Sequence, residues 1–522
     1  MHVPLTPVRF LYRAVDLFGP KTGVVSGNRR FTYADFGERC ERLAAGLSRE
    51  GVQPGDRVAY LSFNNNELLE GYYGVPLARA VVMPLNVRLT PAELVAILNH
   101  AEPHVLIYES DFAPLVDVLR RSCAAVGTWI EIGPQYEALL ELGRIGRPDI
   151  LSFDENALCE LFYTSGSTGT PKGVMLNHRT LYLHALSAAS LFGANDRAVD
   201  LHTIPLFHAN GWGRAHTSCM AGFTQVMVRR FDPPEVLRLI GEEKATAMAL
   251  VPTMANALLN CPDLAQSDVS SMEQVFIGGA AASPELIHRM EGAFHCRVVA
   301  AYGLTETSPA VTCGRQKSTV EYRDEEDRLR HQAMAGWPFA GTEVRVVDPH
   351  LRDVPRDMES IGEVVVRGDV VMDGYYREPK VTADAITCGW LHTGDMAVWD
   401  EENYVHIVDR QKDIIISGGE NISSIEVERA IYSHPSVFEC AVVSAPDPQW
   451  GEVPVAWVVA KPGHRIIEQE LLDYLAGRIA RFKTPRRFEI SYEPLPKTGT
   501  GKIVKRELRE RFWGGKERRV QG

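Results

Sequence analysis

Residues 163–173 read YTSGSTGTPKG. The hydroxyls of Ser165, Ser167, Thr168 and Thr170 alternate with three glycines and lead to Lys172. Glycine lets successive backbone N–H groups turn toward one point, and the hydroxyls and a single cation complete a cradle for a phosphate chain. The common phosphate loop, GxxxxGK[ST], does not fit, because Pro171 separates Thr170 from Lys172 and Gly173 follows the lysine. A Walker-type kinase or ATPase is therefore disfavoured.

The flanks give this stretch a setting. Residues 157–163 (ALCELFY) form an apolar, strand-like run, and residues 173–175 lead through His178 and Arg179 into the helix-like segment 180–191. The pattern predicts strand, loop, helix. A flexible Gly/Ser connector is the plainer reading of such a composition, but the length of the run and the specification of nearly every position favour polyphosphate binding.

Further out, helix-like and strand-like runs alternate: helix at 32–47, strand at 57–61, helix at 66–77 and strand at 80–85. The alternation returns with strand 245–251, helix 252–260, strand 274–277, helix 284–294 and strand 297–302. It predicts an α/β chain of stacked layers with largely parallel sheets, whose ligands collect at the carboxyl ends of the strands. Gly278-Gly279 and Tyr302-Gly303 stand at two such ends. Between 341 and 376 the pieces TEVRVVD, GEVVVRG and VVMDGYY suggest a small β-barrel or antiparallel sheet. Residues 315–331 read as a solvated helix or loop. A smaller α+β domain follows, with helix 424–433, strands 437–444 and 453–459, helix 468–480, strand 487–492 and a terminal helix. The predicted domains are 1–409 and 410–522, with a hinge at 409–412.

With 522 residues, 45% of them hydrophobic, the chain can bury more than one core. A net charge of −12 argues against a nucleic-acid partner. Nine scattered cysteines, never spaced as CxxC, fit reduced thiols in a cytoplasmic protein. The N-terminal MHVPLTPVRF lacks a signal-peptide core, and no apolar run is long enough for a membrane span.

Five more motifs follow in order: PLFHANG (205–211), YGLTET (302–307), LHTGD (391–395), DRQKDIIISGGENISSIEVE (409–428) and PKTGTGK (496–502). Together with the opening run they resemble the adenylate-forming superfamily of acyl- and aryl-CoA synthetases, luciferases and peptide-synthetase adenylation domains, and medium- to long-chain fatty-acyl-CoA synthetases above all. The resemblance implies a two-step ligase that joins a carboxylic acid to coenzyme A through an acyl-adenylate, releasing pyrophosphate and AMP. Its substrates and cofactors would be the acid, ATP, Mg²⁺ and CoA, with no nucleic acid and no integral membrane association, and a homodimer is left open.

The resemblance also assigns roles. Thr164, Ser165, Gly166, Ser167, Thr168 and Lys172 would wrap the phosphates, Thr305 would contact the α-phosphate and Glu306 would hold Mg²⁺. Tyr302, Gly303, Gly279 and Ala280 would border the adenine, and Asp395, with Arg410, would bind the ribose. Lys502 would bridge carboxylate and α-phosphate, Lys412 would be the hinge, and Ser417, Gly418, Glu420 and Gly419 would line the CoA channel. His208 and Trp212, with Gly278 and Gly279, would form the acyl side. Plainer alternatives stand beside several of these: a helix-start carboxylate for Glu306 with Thr305 as cap, a turn carboxylate for Asp395, core residues for His208, Trp212 and Tyr302, an exposed loop lysine for Lys502, and a glycine turn before the 424 helix. An aryl-CoA ligase is the main alternative activity. An amino-acid adenylation enzyme is disfavoured by the neutral Phe207-His208-Ala209, and a non-catalytic nucleotide binder by the joint presence of Lys502, Glu306 and Asp395.

Overall fold

Unbroken apolar runs such as VLIY at 105–108 and AMAL at 247–250 fit strands covered on both faces, the mark of parallel sheets under helices. In the computed structural model they are buried along their whole length. Residues 2–165, 171–193, 195–418, 420–497 and 503–514 are described.

Two sheets organise the N-terminal part. One has the strand order 337–338, 310–313, 297–303, 274–277, 247–250, 199–202, 224–227, 22–26, 29–32. Its strands from 297–303 to 22–26 run parallel, and antiparallel strands finish both edges. The other has the order 374–375, 171–177, 158–165, 81–84, 57–61, 105–108, 128–131, parallel from 158–165 onward. The intervening helices start on side-chain caps: Thr32 with Asp35 closes a capping box on Tyr33–Arg49, and Asn65 accepts from the N–H of Leu68 at the start of Asn66–Leu77. These two helices pack on each other through Phe36, Leu43, Leu69 and Tyr73, all buried.

The strand–loop–helix expectation around the opening motif needs correction. Pro171–Asn177 is a strand that pairs antiparallel with Leu158–Ser165 as a hairpin, and the helix His178–Phe192 begins only after it. VMLN carries alternating side chains that suit a sheet edge, and Asn177 then caps the helix by accepting from the N–H of Thr180.

A five-stranded sheet (order 342–347, 362–368, 390–399, 386–387, with 405–410 beside 390–399) occupies the expected place, its strands 386–387 and 405–410 antiparallel to 390–399. The third piece, VVMDGYY, leaves it, and Gly374–Tyr375 instead extends the 171–177 edge of the parallel sheet. The mixed-charge stretch contains the helix Glu325–Gln332. Near the C-terminus a sheet of order 420–422, 415–417, 451–460, 437–447, with 487–491 parallel to 451–460, packs on the helices Ser424–Tyr432 and Glu468–Leu475. The second helix stops short of the predicted 480, because Gly477 adopts φ +78° and breaks the run. The chain divides into two compact units, Met1–Val344 with Val366–Leu391 and Arg345–Val365 with His392–Gly522. The turn at 410–413 lies within the second. Among the described residues no helix is long and apolar enough to cross a membrane.

The helix His178–Phe192 carries two buried imidazoles with consequences for stability. His178 Nδ1 lies 2.9 Å from the Thr6 hydroxyl, and the N–H of Ala310 donates to His184 Nε2 at 3.3 Å. Burial, aided by Arg79 and His216, lowers His178 to about 4, and burial lowers His184 likewise to about 4. In the unfolded chain both titrate near 6.5, so as pH falls from about 6.5 to 4 the unfolded state takes up protons that the native state refuses. Stability is full above that window and falls by about 3 kcal/mol per histidine across it. The expected result is a melting temperature that drops steeply between pH 6.5 and 4, with a shallower slope in the His178→Gln/His184→Gln variant. An unchanged slope in that variant would assign the acid sensitivity to other groups.

Candidate functional site

In the first unit, the hairpin places Thr164 directly opposite Lys172, and Ser165 opposite Pro171. Gly166, Ser167 and Thr168 lie outside the described residues. The segment that reaches the hairpin from far along the chain makes the site. The N–H of Asp373 donates to the Met175 carbonyl at 3.0 Å and that of Tyr376 to the Gly173 carbonyl at 2.7 Å, so Tyr375 is held beside the hairpin. Lys172 Nζ sits 5.1 Å from the centre of the Tyr375 ring, a cation–π distance, and the Tyr375 hydroxyl donates to Glu306 Oε1 at 2.9 Å. One tyrosine therefore spaces an ammonium and a carboxylate. Burial first, then the Glu306 charge, push its hydroxyl above the usual tyrosine range, so it stays a donor.

Glu306 rides on a single tight turn, Thr305–Thr307, after the strand Arg297–Gly303. Leu304 occupies the cap position, and the Thr307 hydroxyl accepts from the N–H of Leu304 at 3.0 Å, so Thr305 is not the cap. The turn is tied to the same incoming segment: the N–H of Met372 donates to the Glu306 carbonyl at 2.9 Å and the Ser308 hydroxyl to the Val370 carbonyl at 2.8 Å. Thr305 is buried and Glu306 half-buried.

On the other side of this turn lies FHANGW. His208, half-buried, precedes five consecutive residues, Ala209 to Gly213, with φ between 42° and 74°. This is one left-handed turn. Three of the five, Ala209, Asn210 and Trp212, are not glycine, and each costs about 1–2 kcal/mol in that region. Gly213 is obligatory, since a Cβ there would stand 2.4 Å from the His184 ring, and the same position faces the Ser308 carbonyl at 3.5 Å. Trp212 lies against Gly278, where an added Cβ would meet its ring at 3.3 Å and the Ala301 carbonyl at 2.9 Å. Gly303 is equally confined, by the Pro309 carbonyl. The strand ends at 277 and 303 are thus brought beside both turns, with Tyr302 half-buried, Gly279 at φ +74° and Ala280 exposed. Behind Trp212, Ile204, Ala249, Phe276 and Val299 form an apolar wall.

In the second unit, strand pairing sets Asp395 opposite Arg410, and Arg410 Nε reaches Asp395 Oδ1 at 2.5 Å. The Asp395 side chain is buried while the arginine is partly exposed. Arg509 donates to the Lys412 carbonyl at 3.0 Å and to Asp413 at 2.8 Å. Ser417 and Glu420 face each other across a hairpin, and Gly418 takes φ +61° with Trp450 where a Cβ would be, 2.6 Å away. Gly419 and Lys502 lie outside the described residues. The feet of the lysine's loop are paired, Lys497 with Ile503, and the N–H of Val504 donates to the Pro496 carbonyl at 2.8 Å.

Among the described residues no three His, Cys, Asp or Glu side chains cluster as a standing metal centre. A single carboxylate, Glu306, beside Lys172 and Tyr375 suits a hard cation that brings most of its oxygen ligands with it, as Mg²⁺ on a polyphosphate does. The sequence motifs missed Tyr375, whose strand-like surroundings pointed to the wrong sheet. They also missed Glu160, although it is the only charge in ALCELFY.

Residues 11–376 match the family described as AMP-binding enzyme, and residues 426–502 match the AMP-binding enzyme C-terminal domain. A long-chain-fatty-acid–CoA ligase of Thermus thermophilus is 40% identical over 519 residues, covering 96% of this chain and 95% of that protein. Among solved structures, an anthranilate CoA ligase in complex with anthranoyl-AMP superposes with a TM-score of 0.90 at 25% identity, covering 98% of both chains. ATP-bound MatB from Rhodopseudomonas palustris gives 0.86 at 28% identity over 97% of this chain and 99% of that one.

Proposed function

Because the chain belongs to the AMP-binding enzyme family, as an AMP-forming acyl-CoA synthetase, we propose that it joins a medium- or long-chain fatty acid to coenzyme A at the expense of ATP. The observation that carries the proposal is the Lys172–Tyr375–Glu306 arrangement under the Gly/Ser hairpin, beside a left-handed turn backed by an apolar wall. It sets charge suited to phosphates on one side and apolar surface suited to an alkyl chain on the other.

In the first step a carboxylate oxygen of the acid bonds to the α-phosphorus of ATP and the bond to pyrophosphate breaks. The difficulty is an anion approaching a polyanion. Lys172, with the hydroxyls of Thr164, Ser165, Ser167 and Thr168 and the backbone at Gly166, would hold the outer phosphates. Thr305 and Lys502 would face the α-phosphate, and Lys502 would also hold the carboxylate. Mg²⁺, held by Glu306 and the phosphates, would offset charge as it builds. Tyr302, Gly303, Gly279 and Ala280 would border the adenine, and Asp395 and Arg410 the ribose. In the second step the CoA thiol adds to the acyl carbon and AMP leaves. Lys412 would permit the change of backbone that exchanges Lys502 for a channel along Ser417, Gly418, Gly419 and Glu420. A cytoplasmic setting, supported by nine unpaired cysteines, belongs to the same proposal.

The likeness to an anthranilate CoA ligase favours a second reading, in which the acid is aromatic. Pyrophosphate release scored across acetate, butyrate, octanoate, palmitate, benzoate and cinnamate separates the two. Best turnover with octanoate or palmitate is expected, and best turnover with benzoate or cinnamate would replace the alkyl reading by the aryl one. Oxygen-18 in the carboxylate must appear in the released AMP. Label retained wholly in the thioester would refute the adenylate route.

A further inference from the structure

The left-handed turn at 209–213 is strained, so something outside it must hold it, and the buried polar groups around it show what does. Asn210 is 1% exposed, and its Nδ2 donates to Glu160 Oε2 at 2.9 Å. Its amide oxygen has no hydrogen-bond partner among the described residues, so the carboxylate alone anchors this side chain. Glu160 is fully buried in the middle of the strand Leu158–Ser165. Its other oxygen, Oε1, lies 2.7 Å from His216 Nε2, and His216 Nδ1 lies 3.2 Å from the Tyr73 hydroxyl. A carboxylate in such a place is costly unless every lone pair is used. Here it is matched by one imidazole and spent on one amide, and that amide belongs to the second residue of the strained turn.

We infer that Glu160 is a positioning residue for the acid substrate, acting through Asn210 to hold the left-handed turn that carries Trp212 and follows His208. The inference rests on the ligase reading above. Glu160 and Thr164 share one face of the same strand, two pleats apart, so the strand that starts the phosphate hairpin also fixes the acyl-side turn. The segment leading into the turn is pinned separately: Asn64 donates to the His202 and Ile204 carbonyls and accepts from the N–H of Leu206, and the Tyr72 hydroxyl donates to the Leu206 carbonyl. Losing Glu160 therefore frees the turn while leaving its approach in place.

The test measures KM for the best acid and for ATP by pyrophosphate release in wild type, Glu160→Ala, Glu160→Gln, Asn210→Gly and the Glu160→Ala/Asn210→Gly double variant. Glu160→Ala is expected to raise KM for the acid about tenfold with KM for ATP within about twofold, because only one substrate's contacts are disturbed. Glu160→Gln can still accept from Asn210 and donate to a neutral His216, and should stay within about threefold of wild type. Since Glu160→Ala also strips His216 of its partner and can fail to fold, Asn210→Gly carries the same test with the Glu160–His216 pair intact. It too should raise KM for the acid about tenfold, and the double variant should be no worse than either single change. Equal increases in both KM values, additive single effects, or an unchanged acid KM in Asn210→Gly would overturn the inference. If wild type releases no pyrophosphate with any acid, the ligase reading falls and this one with it. Release by wild type with a flat acid KM across the variants removes this one alone.

Discussion

Lys502→Ala is expected to lower acid-dependent pyrophosphate release by about two to three orders of magnitude, the usual effect of removing one donor aimed at charge that develops in the transition state. Thioester formation from supplied acyl-adenylate and CoA should stay within about threefold of wild type, since the phosphoryl chemistry is already complete in that substrate. The lysine sits in a run of glycines and threonines, TGTGK, whose feet are fastened by the Lys497–Ile503 pairing. A run of that composition supplies no apolar side chain to a core, so the substitution tests chemistry and not folding. Equal loss in both half-reactions would refute the assignment.

Lys412→Pro should do the reverse, leaving adenylation near the wild-type rate and slowing thioester formation by about 100-fold, the cost of a substrate group held out of position. Proline fixes φ near −65° and also restricts the residue before it, here Gln411. A backbone that must take two conformations at this point keeps only one compatible with the ring. The native carbonyl at 412 accepts from Arg509, and proline retains that carbonyl, so the bond to the helix Lys505–Trp513 survives the change. The same helix is buttressed by Lys505, which donates to the Ser424 hydroxyl at 2.6 Å and pairs with Glu428 at 2.7 Å. Residue 412 is the third of a turn in which the N–H of Asp413 donates to the Arg410 carbonyl at 2.8 Å, so a melting temperature equal to wild type is the control for this variant, and normal CoA transfer in it would count against a hinge at 412. Quenched-flow measurement of each half-reaction separates the two outcomes.

The layered α/β fold was legible where the pattern is local. The helices at 66–77 and 284–294 and the strands at 57–61 and 274–277 stand where periodicity puts them. What the pattern could not show is pairing between distant segments. Nothing in VVMDGYY distinguishes a strand of the neighbouring antiparallel sheet from one that crosses to the hairpin at 171–177, because both need the same alternation. The candidate site was legible as motifs, each a run of small, hydroxyl and charged residues with little reason to lie in a core. Tyr375, Glu160 and His216 escaped because they act one at a time, from segments whose composition is that of ordinary core. A lone carboxylate in an apolar strand was the only available signal. The left-handed turn was hidden for a different reason: of its five residues Gly211, Gly213 and Asn210 tolerate positive φ by themselves, and Ala209 and Trp212 do not announce it.

The crossing of residues 370–376 to the hairpin has a consequence for how the chain tolerates being cut. Without Gly374–Tyr375 the strand Pro171–Asn177 would present bare N–H and carbonyl groups to solvent at the margin of the remaining six strands, an invitation to pair with another copy. A fragment that stops before residue 370 would lose Tyr375, the ring between Lys172 and Glu306, and gain a sticky border at once. Any minimal version of the larger lobe should therefore keep the chain through at least residue 376, with its aggregation threshold and its nucleotide affinity rising or falling together.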